Sequence, residues 1–294
     1  MDMISYLSFF SERPDVFLLL VAALALLIGS FLNVMIYRIP LMMKNAWNQE
    51  CREYLGLKPL TDDPEHLNLW MPFSHCTQCK KRLKPWHNIP VISYLVLKGR
   101  CAFCHARISA RYPMVELLSC IASVYIAAHF GLTLKTVFAL IFTWISIALI
   151  FIDLDHHLLP DSLTLGLLWT GLFATLFPVF ASSHDAIIGA IAGYLIFAGV
   201  QALFHLATGK VGMGQGDYKY LAALGAFLGW QQLPALILLA SVTGLIFGLV
   251  QIGVRHQFKS VPLPFGPYLA IAGWVCLICG TEILHLLSRL YFYF

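Results

Sequence analysis

The stretch VFLLLVAALALLIGSFLNVMIY, residues 16–37, carries no charged side chain and decides the class of fold. A helix needs about 20 apolar residues to cross the roughly 30 Å hydrocarbon core of a bilayer, so this stretch is long enough. It is also longer than the apolar core of a signal peptide, and Arg38 follows it directly. The stretch therefore predicts a retained membrane span.

Apolar runs of comparable length recur along the rest of the chain, over residues 115–130, 136–152, 162–181, 186–206, 220–254 and 268–290. The run 220–254 is long enough for two spans, and the paired amides Gln231 and Gln232 followed by Pro234 mark a break within it. The sequence thus predicts an all-α polytopic membrane protein with about eight transmembrane helices. The sixth of these, near residues 218–230, is expected to be unusually short.

Charge is scarce in this chain and unevenly distributed. Only 12% of the residues are charged and 59% are hydrophobic, whereas soluble domains carry about 25% charged residues. This composition excludes a soluble enzyme, a secreted disulfide scaffold and a disordered chain. Twelve of the 19 Lys and Arg residues lie between Arg38 and Arg111. We therefore expect a first span over 1–37, a polar insert over 38–112 and a membrane domain over 113–294.

The distribution of basic residues predicts the orientation of the spans. With the N-terminus outside and eight crossings, the inside segments hold 16 of the 19 Lys and Arg residues. By the positive-inside rule, the insert and the loops near 153–161, 207–219 and 255–267 are cytoplasmic. The excess of Lys and Arg over Asp and Glu is then explained by topology and by contact with anionic lipid, and it requires no nucleic acid partner.

Four cysteines of the insert form two Cys-x-x-Cys pairs, Cys76 with Cys79 and Cys101 with Cys104. Two thiolates on a tight turn can face one tetrahedral zinc ion, and a second pair completes a four-sulfur site. Thiols stay reduced in the cytoplasm, which argues against disulfides. We therefore expect a small zinc-ribbon-like insert in which a structural zinc ion stabilises the fold.

Alternatives to this metal site remain open at the level of sequence. The cysteines could be unrelated buried thiols, and His75 or His105 could replace one sulfur ligand, although solvated histidines are the simpler interpretation. Cys276 and Cys279 have the same spacing, but they lie within an apolar run, where packing explains them.

Five acidic residues lie at the predicted cytoplasmic ends of spans: Glu116, Asp153, Asp155, Asp161 and Asp217. Asp153 ends the third predicted span and Asp217 begins the sixth, so the two side chains lie at the same membrane face. Two adjacent carboxylates share one proton and titrate as a unit. One can then deprotonate a water molecule while the other protonates a carbonyl oxygen, which is the chemistry of aspartic proteases.

Other functions fit parts of this acidic set. Asp161 could cap a helix, Asp155 could be solvated, and ion transport could use interfacial carboxylates. The glycine-rich run before Asp217 lacks the features of a phosphate-binding loop. Its Gly214 and Gly216 could instead let the backbone approach an extended substrate closely.

Together, these features closely resemble the type 4 prepilin peptidases, the bifunctional leader peptidase/N-methyltransferases of bacterial pilus and type II secretion systems. The resemblance covers nearly the whole chain. Besides the two cysteine pairs, it rests on the order of the motifs GSFLNV (29–34), YRIP (37–40), NIPVISY (88–94), RYPMVE (111–116), DLDHHLLPD (153–161), GQGDYK (214–219) and PFGP (264–267).

The resemblance implies that Asp153 and Asp217 are the catalytic pair and that Asp155 is the weaker candidate. It further implies cleavage of a basic leader from prepilins and pseudopilins at the cytoplasmic face of the inner membrane. Methyl transfer from S-adenosylmethionine to the new N-terminal amine follows, and this activity is associated with the insert. The four cysteines match the zinc ligands of the family. Asn33, Arg111 and Glu116 could line a cofactor pocket or serve as structural anchors.

Overall fold

The computed structural model describes residues 12–58, 67–177, 179–255 and 263–291. In these residues the chain forms nine α-helices: α1 (Pro14–Tyr54), α2 (Ile92–Val96), α3 (Arg111–Phe130), α4 (Leu134–His156), α5 (Asp161–Ala174), α6 (Ser183–Thr208), α7 (Gln215–Leu228), α8 (Leu233–Arg255) and α9 (Gly266–Tyr291). Two short 3₁₀ helices cover Pro85–Asn88 and Trp230–Gln232. The predicted all-α class is confirmed.

Six of the described helices are long and apolar enough to cross a membrane, which makes the chain a multi-pass membrane protein. The two other predicted spans, over 162–181 and 218–230, correspond to α5 and α7, each 14 residues long. Both are shorter than the roughly 20 residues that a perpendicular span requires. Apolar composition alone does not reveal where such a run stops being helical.

Helix α1 continues well past the end of the first predicted span. It has 41 residues, and the predicted boundary between residues 37 and 38 lies inside it. At 1.5 Å per residue the helix is about 60 Å long, roughly twice the thickness of the hydrocarbon core. Residues 1–11, residues 59–66 of the predicted insert, and most of the predicted loop near 255–267 lie outside the described residues.

The chain divides into two compact units, residues 1–132 and 133–294. In the first unit, α1 packs against α3. Gly29 makes this contact close, because a Cβ there would lie 2.8 Å from the Cα of Glu116. The Ser119 hydroxyl donates a hydrogen bond to the Ala25 carbonyl, 3.0 Å away. A small residue and a backbone-directed hydroxyl are common at helix contacts in membranes.

In the second unit, α7 packs mainly against α5 and α6. Glycines on α6 allow the close approach: a Cβ on Gly189 would collide with the Gly225 carbonyl, and one on Gly193 would lie 2.7 Å from the Leu221 carbonyl oxygen. This small-xxx-small spacing is typical of membrane helix pairs. Residues 220–227 of α7 are all buried, so neighbouring helices shield this short helix.

A buried hydrogen bond fixes α7 relative to α4. The Tyr220 hydroxyl donates to the Ser146 hydroxyl at 3.1 Å, and Tyr220 is fully buried. Ser146 lies two turns before Asp153 in α4, and Tyr220 lies one turn after Asp217 in α7. The bond therefore holds the end of α4 beside the start of α7.

Candidate active site and metal centre

Asp153 lies in the last turn of α4 and is 5% exposed. Its Oδ2 accepts a hydrogen bond of 2.9 Å from the backbone N–H of Gly266, the first residue of α9. The first N–H groups of a helix have no partner within the helix, and the helix dipole favours a negative charge there. The start of α9 thus provides a polar partner for a carboxylate that is otherwise enclosed.

Asp217 lies in the first turn of α7 and is half-buried. Its backbone N–H donates a hydrogen bond of 3.2 Å to the Gly214 carbonyl, and its carboxylate is close enough to Asp153 for the two charges to interact. The two residues are 64 positions apart in sequence. The structure therefore brings together the two aspartates that the sequence analysis paired.

The neighbouring acidic residues have different surroundings. Asp155 is exposed, in contrast to the enclosed Asp153 two positions earlier. Asp161 does not cap α5, because the cap position is occupied by Pro160. Instead, both carboxylate oxygens of Asp161 accept hydrogen bonds from Lys219 Nζ, at 2.7 and 2.6 Å. This pair joins the start of α5 to α7, two residues after Asp217.

Leu159 fills the space between two glycines of the site. A Cβ on Gly216 would lie 2.7 Å from the Leu159 Cβ, and a Cβ on Gly266 would lie 2.9 Å from the Leu159 Cδ2 and 2.7 Å from Asp153 Oδ2. Gly216 therefore permits an approach within the chain itself. A Cβ on Gly214 would meet only Asp217 Oδ2, at 3.5 Å, so the predicted access for an extended substrate stays a prediction for that position.

The contact of Gly266 with Asp153 was not predicted from the sequence. The PFGP motif was visible, and a glycine between prolines at a helix start indicates a constrained backbone. The contact spans 113 positions of sequence, so no local pattern connects it to the aspartate.

The predicted metal ligands converge in the first unit. The Sγ atoms of the four cysteines Cys76, Cys79, Cys101 and Cys104 all lie within 4.8 Å of one another. The Sγ atoms of Cys76 and Cys104 are 3.8 Å apart. Four sulfurs around zinc, with Zn–S bonds of about 2.3 Å, form a tetrahedron with edges of about 3.8 Å. The cluster fits one metal ion of that size, and no histidine belongs to it in the described residues.

The two cysteine pairs lie on turns of the same construction. An isolated antiparallel β-bridge joins His75 to Arg82, and another joins Arg100 to Arg107. In each turn the bridge links the residue before the first cysteine to the residue six positions after that cysteine. The residue after each second cysteine, Lys80 or His105, has a φ of 57°. This repeated geometry points both thiols of each turn to one place, as in zinc sites.

Two of these thiols have displaced pKa values. The backbone N–H of Cys79 is the main cause that lowers the pKa of Cys76 to about 6. For Cys104 the backbone N–H of Ala106 lowers the pKa, but desolvation and the neighbouring sulfurs raise it further, so that its pKa is about 11. The Cys76 thiolate thus forms readily while the Cys104 thiol retains its proton, and a bound cation would displace that proton.

The fold and these sites define a class of protein. The protein is a multi-pass membrane protein. Two interacting carboxylates lie at the ends of helices in its membrane domain, and four cysteines form a cluster that suits a metal ion. Paired carboxylates of this kind support general acid and base catalysis of hydrolysis without a covalent intermediate.

Comparisons with known proteins identify the family. Residues 23–130 match the bacterial peptidase A24 N-terminal domain, and residues 140–249 match the type IV leader peptidase family. A Pseudomonas aeruginosa protein named "Prepilin leader peptidase/N-methyltransferase" is 49% identical over 277 residues, covering 94% of this chain and 95% of the relative. No solved structure matches the chain. The chain belongs to the type IV leader peptidase family, a family of aspartic proteases.

Other relatives carry the same name. A protein of Aeromonas salmonicida is 50% identical over 271 residues, with 92% of this chain and 93% of the relative covered. One of Legionella pneumophila is 44% identical over 267 residues, with 91% and 93% covered. None of these three relatives is named as a transporter, and the comparisons give the ion-transport alternative no support.

Proposed function

We propose that this chain removes the leader peptide from type IV prepilins and type II secretion pseudopilins and then N-methylates the new N-terminal residue. The single observation that carries the peptidase half is the juxtaposition of Asp153 with Asp217, in which the Asp153 carboxylate accepts a hydrogen bond from the Gly266 N–H. The names of relatives that are 44–50% identical over nine-tenths of the chain support both halves.

In the proposed hydrolysis, Asp153 and Asp217 hold one proton between them. The ionised carboxylate removes a proton from water, and the other donates its proton to the carbonyl oxygen of the scissile amide. The water oxygen adds to the carbonyl carbon. Collapse of the resulting diol breaks the C–N bond, and the leaving amine receives a proton.

We place this reaction at the cytoplasmic face of the bacterial inner membrane. The positive-inside count supports this orientation of the chain. A prepilin with a basic leader before an apolar helix has its scissile bond at the same interface. An active site where α4 ends and α7 begins suits such a substrate, because both residues lie at helix ends.

We propose that the four cysteines bind a structural zinc ion. A closed set of four thiolates has no open position for a substrate, so the ion would stabilise the insert and take no part in catalysis. The distances among the four sulfurs support this assignment.

For the methyl transfer we propose S-adenosylmethionine, whose sulfonium supplies the methyl group when bound. Two of the candidate pocket residues have other hydrogen bonds. Asn33 Nδ2 donates to the Tyr112 carbonyl at 3.1 Å, and a Glu116 carboxylate oxygen accepts from the Val91 N–H at 2.7 Å. These hydrogen bonds to the backbone suit residues that anchor the structure better than residues that line a cofactor pocket. We therefore propose no binding residue for the methyl donor.

The test is mass spectrometry of a prepilin co-expressed with this chain, which reports leader loss and N-methylation on one molecule. We expect a shortened product with one added methyl group. The control is the Asp153→Asn/Asp217→Asn double variant, for which we expect intact prepilin. Intact prepilin with the unaltered, membrane-inserted chain would overturn the proposal, and leader loss without the added methyl would overturn its second half.

A further inference from the structure

The zinc-binding part of the insert is strongly cationic. Residues 66–115 contain no Asp or Glu, and they contain eight basic residues: Lys80, Lys81, Arg82, Lys84, Lys98, Arg100, Arg107 and Arg111. The surfaces of soluble domains usually mix both signs of charge. A uniform sign indicates that this segment faces an anionic partner.

The same segment exposes a row of large apolar side chains, which we call the apolar stripe. Its members lie within 11 residues of sequence, on the 3₁₀ helix, directly after it and on α2: Trp86, Ile89, Ile92, Leu95 and Val96. They are 43–74% exposed. Ile92 lies three and four residues before Leu95 and Val96, so these three side chains lie on one side of α2. Trp86 and Ile89 add exposed apolar surface just before this helix in the chain.

Two contacts attach this segment to membrane-spanning helices of the same unit. The Val91 N–H, directly before α2, donates to Glu116 at 2.7 Å. The ring of Trp70 stacks on Phe31 in α1, with centroids 6.0 Å apart. Glu116 lies five residues into α3, about 7 Å from its start. Phe31 lies six residues before the end of the charge-free stretch 16–37, so both attachments lie near an end of an apolar run.

The turn at Val91 fixes where α2 begins. Val91 has a φ of 60°, which is rare for a branched side chain, and the Ile92 N–H bonds back to the Pro90 carbonyl. This tight turn leaves the Val91 N–H free to reach Glu116. The part of the stripe on α2 therefore starts from a point that is fixed against α3.

Basic side chains flank the stripe at both ends. Lys84 Nζ lies 5.2 Å from the centre of the Trp86 ring, and Lys98 and Arg100 follow α2 directly and are exposed. Apolar residues that enter the headgroup region, bordered by Lys and Arg at the level of lipid phosphates, are typical of helices that lie in a membrane interface.

We propose that the apolar stripe lies in the headgroup region of a bilayer that contains anionic lipid. The occupant is the lipid surface, because a basic prepilin leader would be repelled by this segment under the proposed function. An RNA or DNA strand would leave the aliphatic residues of α2 unused. The docking would hold the zinc-binding insert flat against the membrane, whichever reaction the chain catalyses.

The test uses the full-length chain in nanodiscs made either of phosphatidylcholine alone or of phosphatidylcholine with phosphatidylglycerol. The acyl chains carry bromine near the headgroup, where it quenches tryptophan fluorescence. The contribution of Trp86 is the difference between the unaltered chain and Trp86→Phe, and circular dichroism verifies that this variant keeps its helix content. We expect Trp86 to be quenched, and more strongly when phosphatidylglycerol is present.

A charge variant separates lipid docking from simple exposure. Basic residues near an anionic surface each strengthen binding to it, so losing two of them should lower the ratio of docked to undocked stripe about 30-fold. Lys98→Gln/Arg100→Gln should therefore restore much of the Trp86 emission, whereas the control Lys44→Gln/Lys58→Gln, outside the segment, should not.

Three results would overturn the proposal. The first is Trp86 emission that brominated lipid leaves unquenched in both compositions. The second is shielding of Trp86 from aqueous acrylamide without quenching by lipid, which would indicate a protein partner. The third is Trp86 quenching of the same size with and without phosphatidylglycerol, and of the same size in the charge variant as in the unaltered chain. Because none of these readouts involves prepilin, failure here is distinct from failure of the proposed function.

Discussion

At the scale of single residues, the positions of the paired carboxylates depend on two glycines, which have no side chain. Gly266 brings its N–H to within 2.9 Å of Asp153 Oδ2, and Gly216 lets the start of α7 approach Leu159. Any Cβ at these positions would enter space that Leu159 or Asp153 already occupies. The positions of the acidic groups are therefore set by the backbone around them.

The first prediction concerns Gly266→Ala. Its Cβ would lie 2.7 Å from Asp153 Oδ2, so the carboxylate must move away from the reacting atoms. A displacement of about 1 Å can lower a rate about 100-fold, and we expect a loss of that order in the rate of leader cleavage. The matched control is Gly199→Ala in α6, where a Cβ would meet nothing within 4 Å. Equal cleavage rates for the two variants would contradict the assignment of Asp153 to the hydrolytic site.

At the scale of elements, α7 is the helix whose placement matters most. It carries Asp217 at its start, and it is held against α6 by glycine contacts and against α4 by the Tyr220–Ser146 hydrogen bond. Its 14 residues are too few for a perpendicular span. Shielding by neighbouring helices lets a short helix end within the membrane domain.

The second prediction tests the packing of α6 against α7. Gly193→Val places a branched side chain where even a Cβ would lie 2.7 Å from the Leu221 carbonyl oxygen. Overpacking of this kind typically costs about 1–3 kcal/mol, and we expect the thermal midpoint in detergent to fall accordingly. Gly199→Val, on the same helix but in open space, should leave the midpoint nearly unchanged. A fall of the same size in both variants would count against the close contact.

The third prediction tests the register between α7 and α4. Tyr220→Phe removes the hydroxyl that donates to Ser146 and leaves the ring in place. We expect a loss of about 1 kcal/mol in the free energy of unfolding, together with slower cleavage because Asp217 is held less firmly beside Asp153. A stability loss with an unchanged cleavage rate would show that the bond does not position the aspartates.

How far the sequence predicts these elements depends on the range of the contacts. Hydropathy depends on local composition, so it predicted the six described helices that are long and apolar enough to cross a membrane. It did not place the end of α1 at Tyr54, because the polar residues after Arg38 continue the helix without an apolar signal. It also could not connect Gly266 with Asp153, since a contact across 113 positions leaves no local periodicity. The Cys-x-x-Cys spacing, by contrast, is a local pattern, so it directly predicted that the two thiols of each pair face one place.

At the scale of the whole molecule, the chain separates its two sites between two compact units. The cysteine cluster lies in residues 1–132 and the paired aspartates lie in residues 133–294. Each site is built from helices and turns of its own unit. This division predicts that damage to one site spares the other.

The fourth prediction applies this separation to the metal. Cys76→Ser removes one of the four thiolates, so we expect less than about one zinc ion per chain and a greater loss of N-methylation than of leader cleavage. Cys51→Ser, an exposed cysteine outside the cluster, is the control for both readouts. Metal analysis and mass spectrometry of the prepilin product provide the measurement. Equal loss of both activities would mean that the metal supports the entire fold.

The fifth prediction concerns pH. Thiols bind zinc only after losing their protons, so protons compete with the metal. Cys104, whose pKa is raised to about 11, must be deprotonated by the bound ion itself. We therefore expect a chelator to remove zinc more completely as the pH falls from neutral to acidic values, and Cys76→Ser to retain less zinc than the unaltered chain at each pH. Metal retention that rises toward acidic pH would exclude thiolate ligation.

The initial rate of leader cleavage by the purified full-length chain tests the central claim most directly. It compares Asp153→Asn and Asp217→Asn with the exposed neighbour Asp155→Asn. General acid and base catalysis typically contributes about 10²- to 10⁴-fold. We predict losses of at least that size for Asp153→Asn and for Asp217→Asn, with a near-normal rate for Asp155→Asn. A full rate in either of the first two variants would contradict the pairing of Asp153 with Asp217 as the hydrolytic site.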